Sequence, residues 1–122
     1  MSRVQSTAQL ELDTFEGKKD VILGALQFAQ CSINQNADFQ IHASRGSQVA
    51  FRAKGAMMAN DVDYPIKIAV DFFSNAEKVF VNIAVDEDFG FGILTGAKGK
   101  YQGVCDRLRD TLAGAIVNSM SK

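Results

Sequence analysis

IKIAVDFFSNAEKVFVNIAVD, residues 66–86, is the stretch from which the fold can be read. Ile66, Ile68, Val70 and Phe72 alternate with Lys67, Ala69, Asp71 and Phe73. After Ser74-Asn75-Ala76-Glu77, Val79, Val81, Ile83 and Val85 alternate with Phe80, Asn82, Ala84 and Asp86. Successive side chains of a strand point to opposite faces, so this alternation on both sides of a turn predicts an antiparallel hairpin with one apolar face. A turn over 74–77 pairs Phe72 with Val79 and sends Phe73 and Phe80 to the opposite face.

Working outward, residues 4–12 repeat the same period, with Val4, Ala8, Leu10 and Leu12 on one side, Gln5, Gln9 and Glu11 on the other, and Ser6 as the exception. They read as a strand. Residues 15–32 place Val21, Ile22, Ala25, Phe28 and Ala29 at helical spacing, with Asp13 or Thr14 as the cap. NQNAD, residues 34–38, reads as a loop. Residues 39–45 alternate again, with Phe39, Ile41 and Ala43 inward and Gln40, His42 and Ser44 outward. Residues 48–59 read as a further strand with Val49, Phe51, Ala53 and Met57 on one side, and Pro65 heads the hairpin. A short extra strand over 89–95 is compatible with the pattern. From residue 98 onward Tyr101, Val104, Cys105, Leu108, Leu112, Ala115 and Ile116 form one helical stripe. A helix over 98–120 is roughly 35 Å long, enough to cross a whole sheet. The expected fold class is therefore α+β: a single antiparallel sheet, order β-α-β-β-β-β-α, covered by an N-terminal helix and a long C-terminal helix.

The 122 residues fit a single domain spanning 1–122, and 47% hydrophobic residues supply a core. A net charge of −1 and a pI near 5.7, with no Lys/Arg cluster, argue against a nucleic-acid partner. No apolar run approaches the ~20 residues of a membrane span, and the N-terminus lacks the apolar region of a signal peptide. The expected setting is cytoplasmic, where Cys31 and Cys105 remain free thiols.

FGFGILTGAKGKYQG, residues 89–103, holds five of the ten glycines. A phosphate-binding GxxxxGK[ST] loop ending at Gly99-Lys100 needs glycine at Leu94 and a hydroxyl residue at Tyr101. A GxGxxG fingerprint from Gly90 needs glycine at Thr95. The stretch reads instead as the joint between sheet and helix. His42 is the single histidine and points outward without partners for catalysis or metal binding. The acidic residues Asp61, Asp63, Asp86, Glu87 and Asp88 match no calcium-loop spacing. The residues thus point to a non-enzymatic role, with no catalytic residue, metal or cofactor assigned.

AQLELDTFEGKKDVILGAL (8–26), a strand running into a helix, and GKYQGVCDRLRDTLAGAIV (99–117), a long closing helix, together give an order that resembles the helix-grip arrangement of the START and Bet v 1-like superfamily. That resemblance is one of topology and covers most of the chain. It implies an apolar small-molecule pocket between the sheet and the C-terminal helix. The side chains that converge there are Phe39, Phe51, Met57, Phe72, Phe91, Tyr101, Val104 and Leu108. The alternative is a homodimeric, chaperone- or antagonist-like interaction module that uses the other sheet face. There Phe73 and Phe80 stand among Ala50, Ala56, Ala69 and Ala84, interrupted by Arg52, Lys54, Lys67 and Asp71.

Overall fold

β4 (Ile66–Asn75) and β5 (Lys78–Glu87) pair antiparallel without interruption, from Ile66 opposite Glu87 to Asn75 opposite Lys78. The computed structural model that shows this describes residues 5–46, 61–88 and 98–120. The turn is only Ala76-Glu77, at φ 53° and 69°. Two consecutive positive φ values twist a two-residue turn the way the strands twist, so both strands stay paired to its edge. The turn is tighter than a turn over 74–77, and Phe72 lies opposite Val81 rather than Val79. This displacement is two residues, an even number, so each side chain keeps its expected face. Ile66, Ile68, Val70, Phe72, Val81, Ile83 and Val85 are all buried, while Phe73 faces outward.

β1 (Gln5–Leu12) lines the free side of β5, and β3 (Gln40–Arg45) pairs with β4. β2 (Ser32–Asn36) pairs with β3 and closes a five-stranded antiparallel sheet in the order β1-β5-β4-β3-β2. Residues 34–36 are thus strand, not loop. Their polar side chains hide the strand from a periodicity reading, because it is an edge whose register slips between Ile33 and Gln35 and only Ile33 packs against the core. The element order β-α-β-β-β-β-α holds. The strand expected over 48–59 and the short one over 89–95 lie outside the described residues.

α1 (Lys18–Phe28) and α2 (Lys98–Met120) lie on the inner face of this sheet. α1 is shorter than its periodic pattern at both ends. It begins after Gly17, at φ 75°, and no side chain caps it. Asp13 accepts from the Thr14 N–H at 2.7 Å and pairs with the buried Lys18 ammonium at 3.1 Å. At its other end Gln30 adopts φ 66°, so the Cys31 N–H reaches the Leu26 carbonyl and the Gln30 N–H reaches Gln27. This is the left-handed closure usually made with glycine. Ile22 and Leu26 face the sheet, one turn apart; Phe28, about 200° round the helix from Leu26, is 82% exposed rather than inward. Arg45 Nη1 donates to the Ala29 carbonyl at 3.2 Å and ties the end of β3 to the end of α1.

The stripe on α2 packs as its spacing predicts: Tyr101, Val104, Cys105, Leu108, Leu112 and Ile116 are all at most 3% exposed. Each large apolar side chain in this layer contributes on the order of 1.5–3 kcal/mol through its removal from water. Gly46, at φ 87°, follows β3, and a Cβ there would strike the Tyr64 carbonyl, so only glycine lets the two segments meet.

Ala76 and Glu77 occupy left-handed positions that suit Asn-Gly better. The double variant Ala76→Asn/Glu77→Gly is expected to raise unfolding stability by about 1 kcal/mol in urea titration, with an unchanged slope.

Candidate functional site

Phe72, Tyr101, Val104 and Leu108, expected around an inner pocket, belong to one tightly packed cluster and are 6%, 0%, 1% and 3% exposed. The Tyr101 ring meets Tyr64 edge-on at 5.0 Å, and its hydroxyl donates to the Pro65 carbonyl. Burial pushes the Tyr101 hydroxyl well above its ordinary pKa, so it acts as a fixed donor rather than an acid. Leu108 also borders an open recess of about 300 Å³ with Phe28 and Arg107. Phe39, expected inward, is 58% exposed, because β3 starts one residue later and Phe39 escapes the alternation. It stacks edge-on with Phe15 at 5.7 Å, and Phe15 meets Phe72 at 6.2 Å. Phe15, Phe39, Phe72 and Phe73 line an open cup of about 230 Å³ at one corner of the sheet. Phe51, Met57 and Phe91 lie outside the described residues.

The outer face is built by the same hairpin. Reading across the register gives four rows: Ser44, Lys67, Asp86 and Gln5; His42, Ala69, Ala84 and Thr7; Gln40, Asp71, Asn82 and Gln9; and Phe73, Phe80 and Glu11. Among the described residues neither helix packs on this face. Phe73 and Phe80, directly opposite one another, stack at 5.3 Å with their planes 20° apart. Phe73 remains 37% exposed. One row away, the Gln40 side chain donates to Asp71 at 2.8 Å. Beside the aromatic pair, Lys78 meets Glu11 at 3.4 Å, both well exposed.

At the opposite end of the face lies a depression of about 500 Å³, lined by His42, Ser44, Lys67, Ala69 and Asp86 together with Asn34 and Gln35 of β2. Asp86 Oδ1 is buried there without a hydrogen-bond partner. A buried carboxylate oxygen without a donor is costly, which marks this position as unlike the rest of the face. Nothing in the alternation of residues 66–86 singles it out.

A second polar cluster joins β1 to α2. Ser6, the exception in its strand, is buried and donates to Asp106. Gln102 Nε2 donates to Ser6 Oγ at 2.9 Å, to Asp106 at 3.0 Å and to the Gln5 carbonyl at 3.1 Å. These bonds hold the Asp106 carboxyl below its ordinary pKa, the Ser6 bond first and the Gln102 bond next. Cys31 and Cys105 are free; burial raises both thiols, Cys105 to about 12, so neither is a nucleophile at neutral pH.

The antiparallel sheet with its long C-terminal helix is compatible with a helix-grip arrangement. No protein-family model matches the chain, and comparison with curated proteins found no match. Among the described residues no helix is long and apolar enough to cross a membrane.

Because its bonds favour the ionised form in the folded state, Asp106 contributes stability that is full above the unfolded carboxylate range and fades as pH falls through its lowered folded pKa. Ser6→Ala is expected to move the Asp106 midpoint upward, as followed by carboxyl carbon chemical shift. An unmoved midpoint would place the cause elsewhere.

Proposed function

We propose that this is a non-enzymatic interaction domain whose contact surface is the outer face of its sheet. The observation that supports this is the stacked Phe73–Phe80 pair on a face that no described helix covers. Two aromatic rings held in place on an open sheet face are a ready anchor for another protein, since aromatic residues dominate the energetics of interface centres. The face around them mixes charges of both signs with amides, as the rim of a transient interface does. A partner that covered the aromatic pair would find it already ordered by its own stacking, at little cost in side-chain entropy.

The test is photo-crosslinking from a benzoylphenylalanine placed at Phe73, compared with the same group at Val117, a similarly exposed apolar position on α2. Crosslinks to protein, either another copy or a different chain, are expected at Phe73 and not at Val117. Phe80→Asp should abolish them while leaving the circular dichroism spectrum intact. No protein adduct at Phe73 would end this reading.

The apolar-ligand reading draws support from the cup lined by Phe15, Phe39, Phe72 and Phe73. It calls for a small apolar molecule at the corner of the sheet, with no cofactor. Phe39→Ser is expected to weaken binding of a fluorescent apolar probe at least tenfold, and equal binding by both proteins would dismiss the cup.

A further inference from the structure

We infer that the occupant of the outer face is a second copy of this chain, stacked face to face with its strands reversed. The inference rests on the reading of that face as an interaction surface and adds the partner and its register.

The face is complementary to itself. It carries an aromatic end, where Phe73 and Phe80 stack, and a small-residue end, where Ala69, which lines the depression, lies opposite Ala84. The two ends lie symmetrically about the row of Asp71 and Asn82, since Phe73 and Ala69 are each two residues from Asp71, and Phe80 and Ala84 each two from Asn82. A two-fold axis lying along that row therefore sets Phe73 over Ala69 of the second copy and Phe80 over Ala84. By symmetry the same contacts form again at the other end, as an isologous interface requires. Both large aromatic side chains thereby meet alanines, which suits close packing of two sheets.

The charges follow the same symmetry. Lys78 and Asp86 are each four residues from Asn82, so Lys78 of one copy meets Asp86 of the other, twice per dimer. Asp86 is half-buried, with Oδ1 enclosed within its own chain, so Lys78 of the second copy would meet the charge of the carboxylate rather than that atom; among the described residues Lys78 itself pairs only with the exposed Glu11. An exposed pair of that kind is worth ~0–1 kcal/mol, so it does not prevent Lys78 from serving a better partner. Four residues along a strand are about 13 Å. A crossing angle of about 30° between the sheets shifts the two groups sideways by about 7 Å, a gap the four-carbon lysine stem and the aspartate side chain span together. One feature opposes the dimer: Asp71 meets its own copy at the axis, with Gln40 and Asn82 as the neighbouring donors. The strands shorten from ten residues in β4 and β5 to five in β2, so the face offers roughly 640 Å², somewhat less than the ~800 Å² each partner covers in a specific interface of standard size.

The test is analytical ultracentrifugation of the whole chain, with a thermal melt of every variant to confirm that it folds. The wild type is expected to sediment at twice the 13.2 kDa chain mass. Lys78→Glu alone and Asp86→Lys alone each place like charges at both contacts and should weaken self-association at least tenfold. Mixing these two variants restores opposite charges at both contacts. At one contact the introduced carboxylate faces the introduced ammonium, and at the other the native Lys78 faces the native Asp86. A heterodimer of wild-type affinity is therefore expected. Asp71→Asn should tighten the dimer. A wild type that stays monomeric at millimolar concentration overturns the second copy as occupant. The outer-face reading would survive that result if Phe73 still crosslinks to a different protein. A dimer indifferent to both charge reversals, or a mixture that fails to recover, overturns the reversed register.

Discussion

Pairing of β4 with β5 commits every alternate side chain of twenty residues to one side of the sheet, and the rest of the molecule is arranged around that commitment. The inner side is apolar and must be covered, so both helices lie there and α2 runs across it with six buried side chains on one stripe. Among the described residues both helices lie on one side, and whatever chemistry the strands carry outward is left on the other. That face is as ordered as the core beneath it, since the same backbone fixes both.

Much of this is legible in residues 66–86. Alternation sorts Ile68, Val70, Phe72, Val81 and Ile83 from Phe73 and Phe80, and the structure places each on its expected side. The helical stripe from Tyr101 to Ile116 is equally plain, because a 3.6-residue period sustained over four turns has few competing explanations. The turn is harder to read. Ala76 and Glu77 are unusual residues for left-handed positions, so the sequence suggests a wider turn than the chain adopts.

β2 escapes for a different reason. Periodicity detects burial, and an edge strand with one inward residue, Ile33, has almost none to detect. Phe39 departs from its spacing because β3 begins one residue later, and Phe28 because it lies about 200° round α1 from the buried Leu26. At the outer face the two aromatics can be assigned from period two alone. The depression beside Asp86 cannot, since it depends on which side chains become neighbours across four strands.

The register has a further consequence for how the chain acquires its shape during synthesis. Among the described strands β1 pairs with β5 alone, with Leu12 opposite Val79 and Gln5 opposite Asp86. A ribosome adding ~5–20 residues per second separates the two segments by several seconds. Through that interval Leu10 and Leu12 have no strand to join, and loop closure over so long a segment is slow. The three-strand unit of β3, β4 and β5 can assemble from nearby segments in the meantime. β1 is thus made well before the strand it pairs with and cannot take its place until β5 has followed.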